Sequence, residues 1–278
     1  MIVDVKTFDY EWFQKQPFLK RRKGNQGRVK KPLYKNLVCA FDIETTTVHY
    51  KDEQVGKEIK PRYQTFMYIW QFQLSELVTV VGRTWKEFNY FIQRIVDCLG
   101  FNQWLVVYVH NLSYEFQFLK GVYPFKPEEV FAVERRKILK CTMYDHIEFR
   151  CSYLQTNMSL AEFTKKMGAY HQKLDGDLFD YKKQRYPWTT LSDYEMAYCT
   201  NDVQGLVEAL TIEMKTDGDT LNTIPLTSTG YIRRDTKKAM RKVNHDWMVS
   251  IQPCYEVYKL LREAFRGGDT HANRFLCR

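Results

Sequence analysis

The order of strand-like and helix-like patterns along the 278-residue chain predicts an α/β protein with a mixed sheet. Three observations support this prediction. The apolar run NLVCAF (36–41) is typical of a buried strand, and residues 65–74 and 76–82 have the pattern of a hairpin that turns near Ser75. The run WLVVYVH (104–110) predicts a further strand, which lies between two helical patterns.

The other predicted elements alternate between helices and strands. First come a helix at 84–99, a short helix at 113–121 closed by Gly121, and strands near 130–151 with a turn at Arg136-Lys137. Then come a helix from about Asn157 to Met167 stopped by Gly168, a long helix from the capping box Ser192–Glu195 to about Met214, and a basic helix at 233–242. We divide the chain into a basic N-terminal arm (1–35), an α/β domain (36–222) and a linker of helices (223–278).

Composition narrows the possible functions. The net charge of +9 favours a polyanionic partner, nucleic acid before membrane. No apolar run is long enough to span a bilayer, and the N-terminus lacks a signal-peptide pattern. Seven cysteines without a CxxC pair indicate reduced thiols. We therefore expect a cytoplasmic protein, in the host cell if a phage encodes it.

A run of basic residues precedes the first predicted strand. Residues 20–35 contain eight lysines and arginines and no acidic residue. This run is either a solvated, flexible arm or a phosphate-contacting segment.

Three short patterns place carboxylates where they can meet. Asp42 and Glu44 lie on one face of the first strand, where a hard cation such as Mg²⁺ or Mn²⁺ would relieve their repulsion. Asn111 and Glu115 fall where a strand runs into a helix, a usual position for site residues in α/β sheets. Each pattern has a plain alternative: a surface acidic pair for the first and a helix-capping asparagine for the second.

The third pattern lies on the long helix. Tyr198 and Asp202 are four residues apart and therefore share one face. A phenol and a carboxylate so placed can position a water beside a metal, although a solvent-facing aspartate near a half-buried tyrosine is the simpler interpretation of this pair alone.

The three patterns together resemble the DEDDy 3′→5′ exonuclease superfamily, and within it the protein-primed family B DNA polymerases of phages and linear plasmids. The stretches that support the resemblance are FDIETTT (41–47), HNLSYEFQFL (110–119) and YCTNDVQGLVEAL (198–210). The resemblance covers residues 36 to 278 and implies an RNase H-like mixed sheet flanked by helices. One departure is Glu115, where the superfamily usually has aspartate.

The resemblance also implies a site and a mechanism. Two Mg²⁺ or Mn²⁺ ions would be bound by Asp42, Glu44, Glu115 and Asp202, and Tyr198 would orient the attacking water. Thr45, Asn111 and Tyr114 would hold the single-stranded 3′ end of DNA, and Ser152 and Tyr153 match a further strand-contacting motif in part. Lys173 matches the family's catalytic lysine only with a shift, because Asp175 occupies the ungapped position before Asp180-Tyr181.

The last predicted feature is a glycine loop near the end of the chain. Phe265, Arg266, Gly267 and Gly268 resemble the family's template-binding YxGG motif, with phenylalanine replacing tyrosine. The family's polymerase motifs would follow Arg278, so we expect a split gene, an interrupted gene or a shortened chain. A polymerase-domain partner chain, or a missing C-terminal part, would then complete the enzyme.

Two functions of different classes follow from these patterns. The chain is either an active, metal-dependent 3′→5′ DNA exonuclease or a non-catalytic DNA-binding subunit of a split polymerase. Retention of the carboxylates favours the first, and Glu115 together with the expected truncation favours the second.

Overall fold

A computed structural model describes residues 1–20, 32–55, 58–174, 179–243 and 253–264. These residues divide into two compact units, Met1–Ser228 and a second that begins at Thr229. Within the described residues, none of the helices has both the length and the apolar character that crossing a membrane demands.

The first unit is a mixed sheet with helices packed against it, as the sequence predicts. Its strands, among the described residues, are β1 (Ile2–Asp4), β2 (Leu33–Tyr34), β3 (Cys39–Val55), β4 (Glu58–Leu74), β5 (Val78–Gly82), β6 (Gln103–Val109), β7 (Val130–Glu134), β8 (Lys137–Met143) and β9 (Ile147–Cys151). Its helices are α1 (Tyr10–Lys15), α2 (Trp85–Asp97), α3 (Leu112–Leu119), α4 (Ser152–Thr156), α5 (Leu160–Met167) and α6 (Asp193–Asp217).

The strand order is β1-β5-β4-β3-β6-β9-β8-β7, and β2 also pairs with β6. The neighbours β3, β6 and β9 are parallel to one another, and β3, β4 and β5 form an antiparallel meander. Because β3 and β6 are parallel, their carboxyl-terminal parts run toward the same side of the sheet. That arrangement brings together the two sequence patterns that contain Asp42 and Glu115.

Helix α6 ends the unit and packs on the central strands. The Ser192 side chain accepts from the backbone N–H of Glu195, and the Glu195 carboxylate accepts from the Ser192 N–H, so the predicted capping box is confirmed. The helix contacts β3, β4 and α5. It is closed by Gly218, whose φ of +66° is a left-handed conformation that glycine adopts at low cost.

The first twenty residues differ from the expected basic arm. β1 pairs in parallel with β5, and Val5, Phe8 and Phe13 belong to the hydrophobic core. Lys35 is also buried: its Nζ donates to the Gln14 carbonyl at 2.9 Å. The described part of the expected arm therefore contributes apolar side chains to the hydrophobic core. Residues 21–31, which hold most of the basic run, lie outside the described residues.

The hairpin of β3 and β4 was also not predicted at its full length. From Thr45 to Val55, β3 pairs with β4 alone among the described strands. This extension is mostly exposed, so it lacks the apolar periodicity by which strands are recognised in a sequence.

The second unit contains two described helices, α7 (Ser228–Val243) and α8 (Tyr255–Ala264). The basic residues of the predicted 233–242 helix lie on α7. α8 exposes several apolar side chains, namely Tyr255, Val257, Tyr258, Leu260 and Leu261. The neighbouring residues 244–252 and 265–278 lie outside the described residues.

Phe13 tests the inclusion of the N-terminal residues in the core. Phe13→Ala is expected to lower the free energy of unfolding by about 3–5 kcal/mol, because a fully buried ring is removed and a cavity remains. Phe101→Ala is the matched control, since Phe101 is 90% exposed. This substitution should change the free energy of unfolding by less than about 0.5 kcal/mol. Urea denaturation measures both. Equal effects of the two substitutions would contradict the assignment.

Candidate active site

Strand β3 contributes the first two carboxylates. Its apolar residues Phe41 and Ile43 are buried in the core, while Asp42 and Glu44 alternate with them and are half-buried. Asp42 lies opposite Gln71 and Glu44 opposite Ile69 on β4. Because neighbours on both sides hold β3, the two carboxyl groups start from a fixed backbone.

The second pattern lies where β6 ends and α3 begins. Asn111 adopts a left-handed conformation with φ of +69° and makes no side-chain capping bond, contrary to the capping alternative. This turn directs Glu115 inward, and Glu115 is only 3% exposed. Burial and then the charge of Asp42 raise the pKa of this carboxyl group, so the two side chains lie near each other. The patterns at Asp42 and Glu115 thus meet in one site.

Helix α6 contributes Tyr198 and Asp202. The segment that contains His171 packs closely against this helix at Gly205. A Cβ on Gly205 would lie only 2.1 Å from the His171 carbonyl oxygen, so only glycine fits there. The Asn201 side chain donates to the Gln172 carbonyl at 2.6 Å. Lys173 Nζ consequently lies 3.9 Å from Asp202 Oδ2. Lys173 is therefore the lysine near the carboxylates, and Asp175 lies outside the described residues.

Burial and mutual repulsion govern the electrostatics of this cluster. Burial, followed by the charge of Asp202, raises the pKa of Asp42 to about 7. Burial and the charges of Asp42 and Asp202 raise the pKa of Glu44 to about 8. Burial also raises the pKa of Asp202, and burial and the Asp42 charge raise that of Glu115 well above its usual range.

Cations offset this repulsion in part. The ammonium group of Lys173 lowers the pKa of Asp42, of Glu44 and of Asp202. It is half-exposed and lies toward only one side of the cluster. Arg185 lowers the pKa of Glu44 as well, but its guanidinium is already engaged by Glu195. The cluster therefore has more buried negative charge than its own cations balance.

The donor set fits a divalent cation, although the described residues contain no ready-made arrangement of three or more His, Cys, Asp or Glu side chains around a metal position. Glu115 Oε2 is buried without a hydrogen-bond partner. A buried, unpaired carboxyl oxygen beside two further carboxylates is the environment that a hard cation such as Mg²⁺ stabilises. Binding would require these carboxyl groups to be ionised.

A loop with aromatic residues surrounds Tyr198. The Tyr198 hydroxyl hydrogen-bonds with that of Tyr181, and the ring stacks on Phe179 with centroids 4.2 Å apart. Arg185 organises this loop: it donates to the carbonyls of Asp180 and Lys183 and pairs with Glu195. Burial raises the pKa of Tyr198, so its hydroxyl keeps its proton and remains a hydrogen-bond donor.

The residues expected to hold a DNA strand lie around the carboxylates. The Thr45 Oγ1 and Tyr114 hydroxyl are 2.8 Å apart, and Tyr114 is 41% exposed. Tyr153 is exposed beside His110, whereas Ser152 is buried and its hydroxyl contacts His110 Nδ1 and the Val109 carbonyl. Phe265, Arg266, Gly267 and Gly268 lie outside the described residues.

Two clefts give access to the cluster. The larger, of about 550 Å³, is lined by Asp42, Asp202, Lys173, Asn111 and Tyr153, among others. The smaller, of about 390 Å³, is lined by Glu44 together with Thr45, Tyr181 and Lys182. The carboxylates are therefore accessible from two sides, which is a suitable arrangement for an extended substrate.

Sequence reasoning missed several residues of this site. His110 lines the larger cleft, and burial lowers its pKa to about 4, so it is neutral at physiological pH. Arg185 and its partner Glu195 are ten residues apart on a loop and a helix, and no periodic pattern signals such a pair. Tyr181 could have been predicted from the sequence, because it belongs to the Asp180-Tyr181 pair that matches the family pattern.

The fold and the acidic cleft define an α/β protein with a large mixed sheet and a carboxylate-lined site. The sequence matches no protein-family model and no curated protein sequence.

Solved structures of phi29 DNA polymerase have a similar fold. The similarity to its complex with single-stranded DNA has a TM-score of 0.58 at 16% identity and covers 86% of this chain and 41% of the polymerase. The similarity to the ternary complex with primer-template DNA and incoming nucleotide has a TM-score of 0.54 at 16% identity, and it covers 86% of this chain and 40% of the polymerase. The similarity to the orthorhombic crystal form has a TM-score of 0.61 at 16% identity, and it covers 84% of this chain and 39% of the polymerase. The chain thus spans about two fifths of that polymerase's length.

The raised carboxyl pKa values predict a stability cost without metal. The pKa of Asp42 is about 7 in the folded protein and about 3.9 in an unfolded chain, so its stabilising contribution is full below pH ~4 and is lost as pH rises through ~7. Asp42→Asn should therefore raise the melting temperature in EDTA at pH 8, by about 2–4 °C for each kcal/mol regained, and much less at pH 5.

Thermal unfolding of the variant and wild type at both pH values measures this difference. Asp97→Asn, at an exposed aspartate at the end of α2, is the matched control. A gain at Asp42 that is independent of pH would refute the electrostatic account.

Proposed function

We propose that this chain is a divalent-metal-dependent 3′→5′ exonuclease that degrades single-stranded DNA, and that it is the proofreading part of a protein-primed family B DNA polymerase. The observation that supports this most is the proximity of Asp42, Glu44, Glu115 and Asp202, which come from a strand and two helices and influence one another's pKa. The fold similarity to phi29 DNA polymerase agrees with it.

The carboxylates divide the work of binding the ions. Asp42, Glu44 and Asp202 would hold two Mg²⁺ or Mn²⁺ ions, with Glu115 in an outer position. Activation of water and neutralisation of charge at the scissile phosphate are what such ions supply when bound. Lys173 adds a positive charge beside Asp202.

Other side chains would orient the reactants. The Tyr198 hydroxyl, a protonated donor one helical turn from Asp202, would hydrogen-bond to the attacking water. Thr45 and Tyr114, joined by a hydrogen bond, would hold the 3′ end, and a base stacked on Tyr114 would contribute about 1–3 kcal/mol. Asn111 and Tyr153 line the adjacent cleft and would help to hold the same 3′ end.

The proposed domain boundaries follow the two structural units. The exonuclease domain would comprise Met1–Ser228, with the N-terminal residues included. The helices α7 and α8 would form the linker toward a polymerase domain. The exposed apolar side chains of α8 are the surface that such a domain would cover.

A second candidate is a non-catalytic DNA-binding subunit. The raised pKa values of Asp42 and Glu115 favour it, because a protonated carboxyl group is a poor ligand for a metal ion. The two candidates differ in one measurable respect, since only the exonuclease shortens DNA.

Removal of either central aspartate tests the proposed activity. Asp42→Ala and Asp202→Ala are each expected to slow degradation of a 5′-labelled single strand in Mg²⁺ by more than about 100-fold, since loss of an outer-shell partner alone costs 10- to 100-fold at metal sites. Gel analysis of products measures the rate, and circular dichroism checks the fold. Asp52→Ala, an exposed aspartate farther along β3, is the control. Variants as active as wild type would refute the assignment, and an inactive wild type would favour the second candidate.

Glu115 tests whether the departure from the family pattern is functional. Glu115→Asp should retain or raise the activity, because it restores the usual residue and keeps a carboxylate. Glu115→Ala should lower the activity by orders of magnitude, since it removes a buried carboxyl group whose pKa is raised by burial and by the Asp42 charge. Initial rates in Mg²⁺ measure both. If Glu115→Ala matches wild type, the residue has only a structural role.

A further inference from the structure

Three aromatic rings form a continuous stack beside the smaller cleft. Phe66 on β4 stacks with Tyr186 at a centroid distance of 5.5 Å, and Tyr186 stacks with Trp188 at 5.0 Å. The last two rings are nearly parallel, with an interplanar angle of 10°. Trp188 is 79% exposed, so the indole has one face on Tyr186 and presents the other to solvent.

The turn that displays Trp188 is held rigidly. Arg83 donates to the carbonyls of Tyr186 and Thr189 at 3.0 and 2.8 Å, and to that of Tyr68 at 2.7 Å. The Tyr186 N–H donates to Thr189 Oγ1, also at 2.8 Å. One guanidinium thus ties both ends of the Tyr186–Thr189 turn to β4. A side chain presented on such a turn loses little further backbone entropy when a ligand binds.

The stack is continuous with the carboxylate site. The Tyr186 hydroxyl donates to Gln184 Oε1 at 3.0 Å, and Gln184 lines the smaller cleft together with Glu44. Phe66 lies opposite Thr46 on β3, and Thr46 lines the same cleft. Lys182, which is exposed, lines this cleft as well and supplies positive charge on the same side as Glu44 and Gln184.

We propose that the Phe66–Tyr186–Trp188 stack is a binding site for single-stranded DNA, in which a base upstream of the 3′ end stacks on the free face of Trp188. This inference rests on the proposed function, because it places the 3′ end at Glu44. A flat, exposed ring with basic side chains beside it is the combination by which proteins bind single strands without reading their sequence. The site therefore binds any base and contributes affinity for strands long enough to reach it.

Folding alone gives no reason for this arrangement of Trp188. An indole with most of its surface in water contributes little hydrophobic stabilisation, which scales with the area removed from water. Tyr186 already has Phe66 on one side and a hydrogen bond from its hydroxyl.

Binding measured without divalent metal separates this site from catalysis. The full chain is titrated, in EDTA at about 100 mM salt, against a fluorescein-labelled dT12 strand and against dT3. Trp188→Ala should weaken dT12 binding about tenfold, the equivalent of about 1.4 kcal/mol, and leave dT3 binding unchanged. Trp188→Phe should retain most of the affinity. Phe101→Ala is the control, because it also removes an exposed aromatic ring. Phe101 precedes β6, whereas the site residues His110 and Asn111 follow it, so the control lies at the opposite end of that strand.

A second measurement identifies stacking itself. One abasic nucleotide is moved along the dT12 strand from the 3′ end. In the wild-type protein, the abasic nucleotide should weaken binding when it occupies the position whose base stacks on Trp188. In Trp188→Ala that effect should disappear, because the missing base and the missing ring belong to one contact. Unchanged melting temperatures would show that the variants fold normally.

The outcomes distinguish this inference from the proposed function. If wild type degrades DNA from its 3′ end but Trp188→Ala binds dT12 as tightly as wild type, the stacking site is wrong and the exonuclease stands. The same conclusion follows if the abasic scan is identical for both proteins. If wild type neither binds dT12 nor degrades it, both proposals fail.

Discussion

Repulsion among buried carboxyl groups is the constraint on which this structure depends. Four such groups meet at the bottom of two clefts, and the half-exposed Lys173 offsets their charge only in part. Like charges at this density disfavour the folded state unless rigid elements hold them. The central position of β3, the inward turn before α3 and the close approach at Gly205 are the means by which the fold holds them.

The same constraint explains why the surrounding loop is so strongly bonded. Residues 179–189 have no regular secondary structure, yet Arg185 and Arg83 together satisfy four of the loop's backbone carbonyls. Each guanidinium offers five donors in a fixed geometry, which suits the fixing of irregular backbone. Tyr181 and Trp188 lie on this loop, so both are presented in defined orientations without the support of a helix or strand.

The sequence was informative where local patterns and spacing determine structure. The strands around residues 39, 70 and 105, the helix stop at Gly168, the cap at Ser192 and the turn at Arg136 each depend on neighbouring residues, and the structure confirms them. The N-terminal strand and the exposed part of the β3–β4 hairpin were missed, because the first depends on a partner 77 residues away and the second lacks a buried face. In the site, the spacing of Tyr198 and Asp202 was readable, whereas the Arg185–Glu195 pair and the aromatic stack require knowledge of how a loop folds back.

The position of β1 has a consequence for the order in which the protein forms during synthesis. Ile2–Asp4 leave the ribosome before their partners Thr79–Val81, which follow a whole hairpin later. Pairing must close a loop of this length, whose entropic cost precedes any gain from contacts. Phe8 and Phe13, which follow β1, therefore remain unburied until β5 and α2 have emerged as well. This end of the nascent chain is where a chaperone would be most useful.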